Sequence, residues 1–192
     1  MICMKKGIPI VVSSPSGAGK TTLIRNLKKK VKGFGYSVSA TTRPKSSQEI
    51  DGKDYFFLSE KDFLKRKKAC EFVETAIVHG YYYGTLKSQL DKQLLLGKDV
   101  LMDLDVIGAL NVKKLYPEAL LIFIKAPSMK ILEERIRKRS RDPEKAIQKR
   151  LRNARKELKY TKYYDYVIVN DILAEASKQF IDIIKTERMK KR

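Results

Sequence analysis

The stretch Ser14-Pro15-Ser16-Gly17-Ala18-Gly19-Lys20-Thr21 has the residue types and spacing of a loop that cradles phosphate. It follows an apolar run and opens a helical pattern, and its glycines let consecutive backbone N–H groups close around phosphate oxygens. At a helix N-terminus those groups already favour an anion. Lys20 reaches the β and γ oxygens of a nucleoside triphosphate, and the Thr21 hydroxyl can ligate Mg²⁺. The strict pattern has glycine where this chain has Ser14, so a glycine-rich link between strand and helix is the competing reading.

Two further groups suit phosphate chemistry. Asp103 and Asp105 sit at the end of an apolar run, and alternate strand positions share a face, so two carboxylates meet at the carboxyl edge of a sheet. Mg²⁺ or arginines are their expected partners; Asp105 can instead cap the helix that starts near Val106. Arg135 and Arg139 are four apart on one helical pattern, an arrangement that favours an anion such as polyphosphate between them. Arg137, Arg141, Arg150, Arg152 and Arg155 lie close in sequence, and most are expected to face solvent.

These groups need a scaffold. Continuous apolar runs at residues 8–13, 100–104, 120–124 and 166–169 read as buried strands of a mostly parallel sheet. Helical patterns cover 20 to about 32, 85–96, 106–115, 128 to about 139, 143 to about 159, and 173–189. The alternation is that of an α/β protein with helices flanking the sheet. Between Tyr36 and Tyr83 the pattern changes to short alternating pieces with turn signals at Pro44, Asp51-Gly52 and His79-Gly80, which predicts a β-rich insertion. The break at Arg139-Ser140-Arg141-Asp142-Pro143 between two charged helices suits a mobile lid.

Composition narrows the class. At 192 residues and 43% hydrophobic the chain fits a single domain. No run approaches a membrane span, and 8–12 is too short for a signal-peptide core. Cys3 and Cys70 have neither metal-ligand spacing nor the number for a disulfide framework, which suits a reducing, cytoplasmic setting. The net charge of +20 raises nucleic acid as a partner. The basic runs at 28–30, 65–68 and 190–192 lie at helix ends or faces, however, where solvated charge is the ordinary explanation, so nucleic acid is not expected. Nothing in the pattern specifies an oligomer.

Taken together, Ser13-Ser14-Pro15-Ser16-Gly17-Ala18-Gly19-Lys20, Val38-Ser39-Ala40-Thr41-Thr42-Arg43, Asp51-Gly52-Lys53-Asp54-Tyr55-Phe56-Phe57, Tyr82-Tyr83-Gly84-Thr85, Asp103-Leu104-Asp105 and Ile168-Val169-Asn170-Asp171 resemble the guanylate kinases in order and spacing. The resemblance covers essentially the whole chain. It implies one P-loop kinase domain with a core at 1–36, 86–136 and 151–192, a GMP-binding insertion at 37–85 and a helical lid at 137–150 that closes over both nucleotides. The implied reaction is transfer of the γ-phosphoryl group of ATP to GMP, and to dGMP, with Mg²⁺, in purine nucleotide metabolism and GMP recycling.

By the same matching, ATP is held by Ser14 through Thr21, by Thr22 and by Asn170 near the adenine. GMP phosphate falls to Arg43, Tyr55 and Tyr83, the guanine to Ser39, Glu74 and Thr85, and Asp103 serves both GMP and, with Thr21, the metal. Lys20, Arg43, Asp103, Asp105, Arg135, Arg139 and Arg150 are the implied catalytic set, with the lid arginines on the transferring group. Chemistry supports Glu74 for guanine: a carboxylate accepts from N1–H and N2–H₂, whereas adenine presents a bare acceptor at N1. Other readings are an interaction module on the same fold, an RNA-binding basic protein and a kinase of another monophosphate; the intact Gly19-Lys20-Thr21 and Glu74 argue against them.

The chain departs from the family at Ser46, where a second phosphate-binding arginine is usual, with Lys45 beside it. Ile107 replaces a common glutamine, and Lys138 and Ser140 replace glycines around Arg139. His79 and the tyrosines Tyr160, Tyr163 and Tyr164 are expected to have no catalytic part, the tyrosines serving packing. A missing charge-assisted contact of roughly 1.5–3 kcal/mol predicts GMP binding weaker by about tenfold to a hundredfold unless Lys45 compensates. Steady-state kinetics check this: KM for GMP should be raised with kcat held.

Overall fold

A computed structural model of the protein describes residues 6–78, 80–139 and 143–190, with the backbone alone at Arg139. The expectations for Cys3, His79, Ser140, Arg141, Asp142 and the Arg139 side chain lie outside the described residues. The chain runs through β1 (Pro9–Ser13), α1 (Lys20–Lys30) and β2 (Phe34–Gly35), then β3 (Ser39–Thr41), β4 (Phe56–Phe57), α2 (Glu60–Lys68), β5 (Phe72–Val78), β6 (Tyr81–Leu86) and α3 (Lys87–Leu95). It continues with β7 (Asp99–Asp103), α4 (Val106–Leu115), β8 (Leu120–Lys125), α5 (Met129–Arg139), α6 (Glu144–Leu158), a 3-10 turn (Lys159–Tyr163), β9 (Tyr166–Val169) and α7 (Leu173–Lys190).

The larger sheet has the order β2-β7-β1-β8-β9. β2 with β7, β1 with β8 and β8 with β9 run parallel, as the alternation of strands and helices requires. β1 is buried along its whole length and β8 nearly so, which is why both read as unbroken apolar runs. β9 corrects the expectation of a fourth buried strand: it lies at the sheet edge, Ile168 is buried, and Val167 and Val169 are exposed. β7 likewise alternates, with Val100 and Met102 inward.

Contacts divide the chain into two compact units. The first comprises Met1–Pro9, Phe34–Leu101 and Leu110–Ala119. It contains the expected β-rich insertion as a second sheet of order β4-β3-β6-β5, in which β6 is antiparallel to both β3 and β5. Its small core is Ala40, Phe63, Phe72 and Leu86, with Phe56, Leu58 and Tyr82 against it. Phe63 is carried by α2, a helix absent from the sequence reading because its nine residues, Glu60-Lys61-Asp62-Phe63-Leu64-Lys65-Arg66-Lys67-Lys68, bury a single side chain. Ser59 starts it by accepting a hydrogen bond from the Asp62 N–H at 3.0 Å. α3 begins two residues later than expected, since Thr85 belongs to β6.

The second unit comprises Ile10–Gly33, Met102–Ala109 and Leu120–Arg192. Here Leu23 and Leu27 of α1 and Phe180 and Ile184 of α7 are buried, and the two helices pack together. Tyr164 packs edge-on against Phe123 with ring centroids 5.1 Å apart, the packing role expected of it. Tyr163, expected to do the same, is exposed. Among the described residues no helix is long and apolar enough to cross a membrane.

Phe63 is fully buried and stacks on Phe72 at 4.4 Å and on Tyr82 at 5.3 Å between ring centroids. Phe63→Ala should therefore lower unfolding stability by about 3–5 kcal/mol. Urea denaturation measures it, and a loss under about 1 kcal/mol would show that α2 does not hold this sheet.

Candidate functional site

In the second unit, the loop between β1 and α1 turns because Gly17 and Gly19 adopt left-handed backbone, with φ of 88° and 94°. The Ala18 N–H closes a turn on the Pro15 carbonyl at 3.2 Å. A Cβ on Gly19 would collide with Nδ2 of Asn170, and one on Gly17 would stand 2.9 Å from a side-chain carbon of Ile136. Glycine is thus required twice over, by dihedral and by space.

Asn170 follows β9, is buried, and donates from Nδ2 to the Ala18 carbonyl at 2.8 Å. Its own carbonyl accepts from Nη1 of Arg135 at 2.8 Å. Asn170 thus braces the phosphate loop, and Arg135 is anchored to that brace. A satisfied buried amide of this kind fixes loop geometry.

Lys20 forms an ion pair with Asp103, whose side chain is half-exposed at the end of β7. Of the two readings of Asp105, the structure bears out the helix cap. Asp105 lies beyond the strand, and its Oδ1 accepts from the Gly108 N–H at 2.7 Å, so it caps α4. Thr21 and Thr22 stand in the first turn of α1, Thr21 exposed. Glu157 was not foreseen: burial pushes its carboxyl up, opposed by nearby Lys20. Near the lid, Arg137 joins Glu133 at 2.7 Å and Glu144 at 2.6 Å, so exposed carboxylates tie α5 to α6. Arg150 is partly buried on α6.

The first unit holds the other cluster. Ser39 and Glu74 both face Thr85 across β6, where the β5 register shifts between Phe72 and Glu74. Oε1 of Glu74 accepts from the Thr85 N–H at 3.1 Å and from its hydroxyl at 2.8 Å. The carboxylate is half-buried and held by the sheet, not an exposed strand glutamate. Tyr55 and Tyr83 meet edge to face at 5.9 Å, and the Arg43 guanidinium lies 5.6 Å from the Tyr55 ring centroid. Arg43 also forms a two-pronged pair with Glu49, with Nη2 to Oε1 at 2.6 Å and Nη1 to Oε2 at 3.1 Å. That carboxylate, and after it the Tyr83 hydroxyl, hold the Arg43 guanidinium above its ordinary pKa. Glu49 escaped the sequence reading; its one signal is an acid six residues beyond Arg43 in a polar loop.

A phosphate loop after the buried β1, a lysine at its exit and a parallel sheet with β1 inside define an α/β protein built to bind nucleotide phosphates. The profile of the guanylate kinase family matches residues 6–187. The chain is similar to a guanylate kinase of Thermotoga maritima, 46% identical over 96% of this chain and 89% of that one. One of Carboxydothermus hydrogenoformans is 44% identical over 97% and 92%. Among solved structures, guanylate kinase from Anaplasma phagocytophilum superposes with a TM-score of 0.68 at 32% identity, over 96% of this chain and 88% of that one. The chain belongs to the guanylate kinase family. It is accordingly an enzyme, a nucleoside monophosphate kinase.

The Asn170 brace generates a test. Asn170→Ala removes the donor to Ala18 and opens space beside Gly19, and should weaken nucleoside triphosphate binding about tenfold. Calorimetric titration checks this, and unchanged affinity would show that the loop holds its shape without Asn170.

Proposed function

We propose that the enzyme transfers the γ-phosphoryl group of ATP to GMP, and to dGMP, giving ADP and GDP, in cytoplasmic purine nucleotide metabolism and GMP recycling. The observation that carries the acceptor is Glu74, a half-buried carboxylate oriented by Thr85 with Ser39 alongside. Guanine offers such a carboxylate two donors, N1–H and N2–H₂, and adenine offers N1 as a repelling acceptor. Arg43, Tyr55 and Tyr83 form a cationic, hydroxyl-bearing cluster suited to the dianionic phosphate of GMP.

For the donor, the loop from Ser14 to Thr22 takes the ATP phosphates, with Lys20 at the β and γ oxygens. The oxygen donors of Thr21 and Asp103 suit Mg²⁺ arriving on nucleotide phosphates, a metal that keeps much of its shell as phosphate and water. Bound there, Mg²⁺ would neutralise charge on the transferring group. The core, GMP-binding insertion and lid are assigned to the boundaries given above, with Arg135, Arg139 and Arg150 on the phosphoryl group.

The GMP phosphate oxygen is already an anion and needs no base. The side chains instead align the nucleotides, neutralise spreading charge and exclude water. Asp103, already paired with Lys20, holds the ammonium at the loop exit before ATP arrives.

A coupled ADP-release assay with MgATP against GMP, dGMP, AMP, CMP and UMP tests the reading. Turnover should be confined to the guanine nucleotides and vanish in Lys20→Ala; absence of turnover with every acceptor in folded protein would overturn it. Glu74→Gln should depress kcat/KM for GMP selectively, and Ser46→Arg should lower KM for GMP about tenfold or more with kcat held.

A further inference from the structure

Arg43 is assigned above to the phosphate of GMP, and its hydrogen bonds show which of its donors are already committed. A guanidinium carries five N–H groups arranged on an end edge, Nη1 with Nη2, and a side edge, Nε with Nη2. Glu49 occupies the end edge with both carboxylate oxygens, at 2.6 and 3.1 Å. The Pro44 carbonyl takes the second Nη1 hydrogen at 2.9 Å. The faces of the group lie by Tyr55 and Phe57, with ring centroids 5.6 and 5.7 Å from Cζ. Glu49 and Pro44 thus leave the side edge, a pair of parallel donors with the spacing of two phosphate oxygens, to be shared between a ligand and the Tyr83 hydroxyl, which also acts on this guanidinium.

Glu49 is itself fixed. Its Oε2 accepts from the Ser46 N–H at 2.8 Å, and its N–H donates to the Ser46 carbonyl at 3.1 Å. The loop from Ser46 to Glu49 is thereby closed on the carboxylate that holds Arg43. Ser46 is also the position where the family's second arginine is missing, so in this chain the orientation of a single guanidinium carries more of the recognition.

We infer that Glu49 is a positioning residue for the acceptor phosphate: it clamps the end edge of Arg43 and presents the side edge to a 5′-phosphate. This rests on the assignment of Arg43 to GMP. The geometry separates the role from that of an internal competitor. A competing carboxylate would cover the edge the phosphate needs, whereas Glu49 covers the other one.

The test compares dissociation constants of GMP and guanosine, measured by NMR shift titration, in the wild type, Glu49→Ala, Glu49→Gln and Arg43→Ala. Wild type should prefer GMP strongly. Glu49→Ala should weaken GMP about tenfold or more while guanosine changes less than about twofold, and Glu49→Gln, which keeps the shape and one acceptor, should fall between. In an Arg43→Ala background, Glu49→Ala should have no further effect on GMP, because the path through Arg43 is already cut. Equal losses for GMP and guanosine, an unchanged ratio or tighter GMP binding in the Glu49 variants would each overturn the inference. A wild type without preference for GMP over guanosine would instead overturn the assignment of Arg43 itself.

Discussion

The loop between β1 and α1 depends on one contact, the Asn170 amide lying where a side chain on Gly19 would be. A phosphate-binding loop must aim its N–H groups at the ligand, so its carbonyls turn back into the protein and need donors there. Asn170 supplies the donor for Ala18, and can do so only because β9 pairs with β8 and ends beside the loop. Arg135 then fixes the Asn170 carbonyl from α5. One amide thus ties the first helix of the second unit to the last strand of its sheet.

The cations of the two clusters share a second constraint. Lys20 has Asp103, and Arg43 has Glu49. At partly exposed positions such pairs contribute little to stability, and their value is in restricting long side chains before a ligand arrives. For phosphoryl transfer, where the protein has little covalent work to do, restriction of charge is the main resource available. The two pairs lie in different units and differ in consequence. Asp103 holds an ammonium at the exit of the phosphate loop, whereas Glu49 grips one edge of a guanidinium.

What could be read from the sequence follows from how many constraints each residue meets. β1 and β8 are buried on both faces, so composition alone revealed them. β9 has an equally apolar sequence for a different reason, closing the sheet edge with only Ile168 inward. α2 was invisible because one buried Phe63 in a charged segment generates no period. Among the candidate residues, Lys20 was read from the spacing of its loop, and Arg43 and Glu74 only from the family resemblance. The capping role of Asp105 was available as an alternative, and whether a carboxylate ends a strand or starts a helix is decided by a single residue of register. The bond from Asn170 to the Ala18 carbonyl went unread and Glu49 was missed, because each acts through another residue and leaves no spacing signal of its own.

The loss of the second arginine at Ser46 bears on how this chain meets an anionic substrate. A net charge of +20 attracts nucleotides at long range and raises their encounter rate, an effect that salt weakens and that any anion shares. It cannot orient a phosphate. With two arginines a dianion is located by two forks whose errors partly cancel. With one, the error of that side chain becomes the error of the substrate. Lys45 is exposed and offers a point charge without a fork, so it can add attraction but little direction. A chain that keeps one guanidinium at this place gains more from clamping it than from adding another loose cation, and the Pro44 to Glu49 loop, closed on its own carboxylate, provides that clamp.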